Sequence, residues 1–209
     1  MKFLALPLAL AFLMPVTVHA APEAAAPAIA TVGKAAPEFT GTDTKGTVHK
    51  LSDFKGKTVV LEWNNPECPY VVKHYGSQNM QALQKAATAD GVVWLTVNSS
   101  AAGKQGNMTG EAADKYVADQ GAAPTAYILD AAGTIGKLYD AKTTPHMYII
   151  NPEGVLVYAG AIDSDDSFKP EAIAGSKNYV TAALQSLKDG KSVEMASTKP
   201  YGCGIKYSN

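Results

Sequence analysis

Cys68 stands in the run Trp63-Asn64-Asn65-Pro66-Glu67-Cys68-Pro69-Tyr70-Val71, between an apolar stretch, Thr58 to Trp63, and a stretch of helical periodicity, Val71 to Ala87. That places a thiol at a strand-to-helix junction. There, unpaired backbone N–H groups and the helix dipole favour the thiolate, the nucleophilic form of cysteine. Pro69 suits the first helical turn because it has no N–H to satisfy. A buried structural thiol is the bland alternative, since free cysteine packs well as a small hydrophobe. Three residues on, where a Cys-x-x-Cys pair would carry its second thiol, stands Val71. The other cysteine of the chain is Cys203.

Cys203 therefore invites three readings: a resolving thiol that condenses with oxidised Cys68, a static disulfide to Cys68, or an unpaired tail thiol. Cys203 lies thirteen positions beyond Gly190, a reach of at most roughly 45 Å when extended, enough to cross one domain. A static link would close a long loop and stabilise by roughly 4–5 kcal/mol on the chain-entropy model. Gly202 and Gly204 flank the cysteine and permit close backbone approach.

The elements that must position these thiols alternate in type. Thr47 to Leu51, Thr58 to Trp63, Val92 to Asn98, Thr125 to Leu129, Met147 to Ile150 and Val155 to Tyr158 read as strands; the near-continuous apolar runs among them fit strands buried on both faces. Pro69 to about Ala87, Thr109 to Asp119, Ile135 to Tyr139 and Pro170 to Lys188 read as helices, with Thr109 as a cap and Asp90-Gly91 and Gly190 as stops. Asn151-Pro152-Glu153-Gly154 signals a hairpin turn. The pattern predicts an α/β fold with a mixed sheet covered on both faces.

The first twenty residues have the form of a signal peptide: Lys2, an uncharged apolar run from Phe3 to Val16, and small residues at Val18 and Ala20. Cleavage near Ala20 leaves about 189 residues (209 − 20), enough for one sizeable core. The expected organisation is a signal peptide (1–20), a flexible Ala/Pro-rich leader (21–32), one domain (33–190) and a tail (191–209) carrying Cys203. An exported chain, periplasmic or secreted, is compatible with a disulfide. Net charge is −1 with the signs interspersed, so neither a nucleic-acid nor a membrane-surface role has support. No cofactor-binding motif is found.

Three segments carry a resemblance. Gly33-Lys34-Ala35-Ala36-Pro37-Glu38-Phe39 with Asp43-Thr44-Lys45-Gly46, then Leu51 through Leu61, then Thr143-Thr144-Pro145-His146 with its following strand and turn, resemble the redoxin branch (alkyl hydroperoxide reductase and thiol-specific antioxidant) of the thioredoxin superfamily. The string from Trp63 through Tyr75, with the tail Pro200-Tyr201-Gly202-Cys203, looks like an exported, peroxiredoxin-like subgroup. The resemblance implies a thioredoxin-like fold, a cis Pro145 and an exposed Thr144 backbone beside Cys68, where a thiol or peptide pairs. The chain departs from the peroxiredoxin Pro-x-x-x-Thr-x-x-Cys motif, with Leu61 and Asn65 at the Pro and Thr positions, and all 18 of its Lys+Arg residues are lysines, so the arginine that holds peroxide is missing too.

The implied activity is that of a thiol-dependent oxidoreductase. Cys68 is the nucleophile and Cys203 a candidate resolving thiol; the substrate is a small thiol, a peroxide or a protein disulfide, and an external thiol is the reductant. Candidate tuning residues are Thr144, His146, Asn65, Glu67 and Tyr70, with Tyr70 walling a groove and Asn65 donating to a bound oxygen species. Trp63 is expected in the core, and Lys73 and His74 on a solvated helix face. Two other classes stay open: copper binding through Cys68, Cys203, His146 and Met147, and an inactive interaction module.

Overall fold

The computed structural model describes residues 29–208; the expected signal peptide and most of the leader lie outside them. At the centre is β3 (Val59–Trp63), all five residues buried. It runs parallel to β4 (Val93–Asn98) and antiparallel to β7 (His146–Ile150). With β5 (Ala126–Leu129) and β8 (Leu156–Gly160) outermost, the sheet order is β5-β4-β3-β7-β8. A strand flanked on both sides and covered on both faces has no place for solvated residues, which explains the continuous apolar run. Its alternation survives as a division of the core. Val59, Leu61 and Trp63 pack with Phe39, Tyr139 and Tyr148. Val60, on the other face, belongs with Val71, Met80, Trp94 and Val180. This is the thioredoxin-like arrangement expected from the sequence.

Before the sheet lies a hairpin of β1 (Thr40–Thr42) and β2 (Val48–Lys50), closed by a short 3-10 turn, Leu51–Phe54. The helices are α1 (Pro69–Gly76), α2 (Asn79–Ala89), α3 (Gly110–Gln120), α4 (Thr134–Leu138) and α5 (Tyr179–Lys188). Thr109 caps α3 as expected, accepting from the Ala112 N–H. Two expected helices are broken. The stretch from Pro69 to Ala87 splits at Gln78, which sits at φ 62. Gly76 weakens the helix there, and the Ser77 hydroxyl donates back to the Lys73 carbonyl at 2.7 Å, offering the backbone another partner. The stretch from Pro170 to Lys188 becomes a 3-10 segment, Pro170–Gly175, followed by α5, because Asn178 caps a fresh start by accepting from the Thr181 N–H.

The end of the leader is not free of the domain: Ala30 and Val32 pack on the core, and the Ala30 N–H bonds the Leu138 carbonyl. The tail is likewise docked. Two strands that the sequence pattern does not announce, β6 (Thr143–Thr144) and β9 (Cys203–Gly204), pair antiparallel with Thr144 opposite Cys203. Thr198 and Ala196 bond Ala159 on one side of this ladder, and Ile205 bonds Lys142 on the other. No helix among the described residues is long and apolar enough to cross a membrane.

Glu62 faces the α1–α2 layer with no exposed surface. Its carboxyl group accepts from Tyr75 Oη (2.7 Å), Trp94 Nε1 (2.8 Å), Gln84 Nε2 (3.0 Å), Thr96 Oγ1 (3.2 Å) and Asn64 Nδ2 (3.3 Å). It thus ties β3, β4, α1 and α2 together through one acceptor. Glu62→Ala orphans these donors in the interior and is expected to cost about 3–5 kcal/mol, read as a lowered urea midpoint at unchanged slope.

Candidate thiol site

Cys68 is the residue immediately before α1, in extended conformation (φ −79, ψ 124), with Pro69 opening the helix. Its side chain is fully buried. The Cys68 thiol donates to the Thr144 carbonyl at 3.0 Å, and Cys203 Sγ lies 2.6 Å from Cys68 Sγ. The Thr144–Pro145 bond is cis. Three segments distant in sequence, the β3–α1 junction, the Pro145 loop and the tail, therefore meet at one pair of sulfurs. Both cysteines are free thiols, Cys68 buried and Cys203 partly exposed. Burial, with the Cys68 sulfur alongside, pushes the Cys203 thiol up to about 12.

The tail reaches this position by close fit. Gly202 sits at φ 124, a conformation that side chains rarely adopt, and a Cβ there would collide with the Thr144 carbonyl. Tyr201, two residues before Cys203, lies against the Tyr70 ring at 5.7 Å between centroids. Tyr70 is also in edge contact with Phe168.

Other candidates are used differently from the expectation. Lys73 and His74 are not solvated but buried. Their helix face is covered by the loop of Asp163 and Asp165 and by the tail. Lys73 Nζ donates to the Asp165 carbonyl at 2.9 Å and lies 4.0 Å from Asp163 Oδ1. His74 Nδ1 accepts from Asn79 Nδ2 at 2.8 Å, so the neutral ring carries its proton on Nε2 and donates to Tyr201 Oη at 3.1 Å. Tyr201 Oη in turn donates to Asp163 Oδ1 at 2.5 Å. Burial, reinforced by Lys73, pulls His74 down to about 3, and burial with the adjacent Asp163 raises the Tyr201 phenol above its ordinary value. Nothing in the sequence pattern singles out Asp163; Tyr201 could have been found from its place two residues before Cys203.

Asn65 is buried, with Oδ1 accepting from the Glu67 N–H at 2.9 Å. Glu67 turns away to accept from the Gly106 N–H. His146 Nδ1 faces the Lys142 N–H and Tyr148 Oη, and burial pulls the ring down to about 4. Met147 packs in the core on the Val60 side of the sheet. Among the described residues no three His, Cys, Asp or Glu side chains are grouped to hold a metal, so the copper set of Cys68, Cys203 and His146 is not assembled.

The model of the AhpC/TSA family matches residues 32–159. The chain belongs to that family. Its match takes in β1 to β7, β8 up to residue 159, Cys68 and the Pro145 loop, but not the tail. Among curated proteins, the chain is similar to the thiol-disulfide oxidoreductase ResA of Bacillus subtilis (strain 168), 29% identical over 132 residues, 60% of this chain and 64% of the relative. The ResA of Geobacillus kaustophilus (strain HTA426) is 38% identical over 77 residues, 34% of this chain and 44% of the relative. The chain thus spans less than two thirds of the length of these relatives. Among solved structures, an uncharacterized conserved protein from Geobacillus kaustophilus superposes with a TM-score of 0.71 at 28% identity, covering 85% of this chain and 93% of that one.

The two depressed histidines give the fold a pH dependence of definite sign. With folded values of about 3 and about 4 against an ordinary 6.5, His74 and His146 leave the unfolded chain holding more protons across that interval. Their contribution is complete above about pH 6.5 and is lost as pH falls towards the folded values, by up to about 1.4 kcal/mol per pH unit for each ring. Urea midpoints are expected to fall between about pH 7.5 and about pH 4.5, and His146→Gln is expected to flatten that fall.

Proposed function

We propose that this protein is a thiol–disulfide exchange protein whose redox pair is Cys68 and Cys203. The observation that carries the reading is the placement of the Cys203 sulfur 2.6 Å from Cys68, beside the Thr144 carbonyl. In the proposed reaction the Cys68 thiolate attacks one sulfur of a substrate disulfide, forming a mixed disulfide and expelling a thiolate. Cys203 then attacks the Cys68 sulfur, its proton passing to the second departing thiolate, which leaves the substrate as two thiols and the pair as a disulfide. An external thiol reductant resets it. Cys203, pushed up to about 12, rests protonated at neutral pH and leaves the first attack to Cys68.

Pro145 and Thr144 form the edge along which the incoming chain pairs, and Tyr70 is the wall of the groove. Residues 33–190 act as the redoxin domain and 191–209 as a tail that donates the second thiol. The N-terminal twenty residues direct export, placing the reaction in an oxidising compartment. The ResA relatives, thiol-disulfide oxidoreductases by name, support exchange as the chemistry. Peroxide reduction is the second reading, favoured by the family match. Against it as a fast reaction stands the lack of arginine.

Non-reducing peptide mapping of the full-length protein before and after oxidation is expected to show conversion of two free thiols to one Cys68–Cys203 link. Cys68→Ser is expected to abolish reduction of a small disulfide such as hydroxyethyl disulfide. Peroxide consumption in stopped flow should be no faster than that of free cysteine. Fast peroxide turnover by the wild type, or unchanged disulfide reduction by Cys68→Ser, overturns the exchange reading.

A further inference from the structure

The tail segment Tyr201-Gly202-Cys203-Gly204 lies where the proposed exchange partner must bind, so it displays what that groove accepts. Cys203 faces Thr144 in an antiparallel ladder, Gly202 packs on the Thr144 carbonyl with no room for a Cβ, and Tyr201 enters a polar pocket. On either side of Gly202, Tyr201 reaches His74 and Asp163 while Cys203 reaches Cys68. The pocket is made for a phenol rather than for a plain ring. Its wall is Tyr70; its floor presents the His74 Nε2–H as donor and Asp163 Oδ1 as acceptor to the single hydroxyl, at 3.1 and 2.5 Å, with Lys73 Nζ 5.5 Å from the ring centroid. Lys73, His74 and Asp163 are each at least 98% buried, and Asp163 Oδ2 has no hydrogen-bond partner. A phenylalanine in the same pocket leaves the His74 Nε2–H without its acceptor and takes from Asp163 Oδ1 one of its two donors, the Asp165 N–H at 3.1 Å being the other.

We propose that Lys73, His74, Asp163 and Tyr70 form a substrate subsite for a tyrosine placed two residues before an incoming cysteine, and that the tail is its resident occupant. The substrate class is then an extended polypeptide of the form Tyr-Gly-Cys, bound as an added strand on β6; the inference rests on the exchange reading above. None of the tail residues from 191 to 208 is fully buried, and their ladder on β6 is two residues long. Such a segment lifts locally at much lower cost than the domain unfolds. Cys68 has no exposed surface while the strap is down, so a polypeptide partner reaches it only by taking the strap's place.

The test uses the full-length Tyr201→Ala/Cys203→Ser protein, which empties the pocket and keeps the chain. The probes are acetyl-Pro-Tyr-Gly-Cys-Gly-amide and its Phe and Ala counterparts, each as the mixed disulfide with thionitrobenzoate. Cys68 thiolate attacks the peptide sulfur, a Cys68–peptide disulfide forms and thionitrobenzoate leaves, giving the absorbance signal. The Tyr peptide is expected to react about tenfold faster than the Phe peptide and faster still than the Ala peptide. Residual blocking by the tail is common to all three and cancels in the ratio. Adding Asp163→Ala, which removes the acceptor, should erase most of the Tyr-over-Phe preference; a variant that does not fold leaves the peptide comparison standing. Equal rates for the three peptides, with hydroxyethyl disulfide still forming its mixed disulfide with Cys68, overturn the subsite and spare the exchange reading. Inertness of Cys68 toward the peptides and hydroxyethyl disulfide alike overturns both.

Discussion

A ladder two residues long, Thr143–Thr144 against Cys203–Gly204, governs this molecule. Without it Cys68 has no second thiol, because Val71 stands where a local partner would be. So short a ladder is marginal by itself, and its neighbours supply what it lacks. Thr198 Oγ1 accepts from the Ala161 N–H and bonds Tyr158 Oη on one side; Tyr207 Oη donates to the Ala141 carbonyl on the other. Holding the chain on both sides shortens the free segment around Cys203, so fixing the cysteine itself costs little more entropy. Gly202 is what lets the strand close on Thr144, and a larger residue there would lift Cys203 away from its partner.

The same contact separates the roles of the two sulfurs. Cys68 stands at the head of α1, where developing negative charge faces backbone N–H groups. Cys203 stands on an irregular strand, beside Cys68, in surroundings that push its thiol up. In the exchange proposed above, Cys68 attacks first and Cys203 follows once Cys68 is held in a mixed disulfide. Asn65 Oδ1 holds the turn before Cys68 while its Nδ2 has no hydrogen-bond partner, and His146, pulled down to about 4, packs against Tyr148.

Much of this was legible in the sequence where one physical rule acts locally. The apolar run of β3, the Thr109 cap, the Asn151–Gly154 turn and Cys68 before Pro69 are signals of that kind, and the structure has each of them in place. Pro145 was legible through resemblance, as was the fold. The break at Gln78 is local, from Gly76 and the Ser77 hydroxyl, but the burial of Lys73 and His74 and the partnership of Tyr201 with Asp163 depend on what a distant segment covers. Helical periodicity puts Lys73 and His74 on an outer face of α1; it says nothing of a loop ninety residues on that roofs that face. Glu62 was passed over because a lone acid within an apolar strand gives no hint of the five donors that converge on it.

The roof over α1 also bears on how firmly the tail is held. Removing a lysine, a histidine and an aspartate from water is costly, and the tail contributes part of the cover that does so. Tyr201 offsets some of this by pairing with His74 and Asp163, yet Asp163 Oδ2 stays without a partner. An orphaned carboxylate oxygen weakens the cover that creates it. The tail is thus bound by specific contacts while the ground beneath it favours exposure, a balance that defines the register of Cys203 sharply without sealing it shut. The proposed exchange, in which the pair opens for each partner, needs both halves of that balance: contacts specific enough to return Cys203 to Cys68, and a cover weak enough to lift.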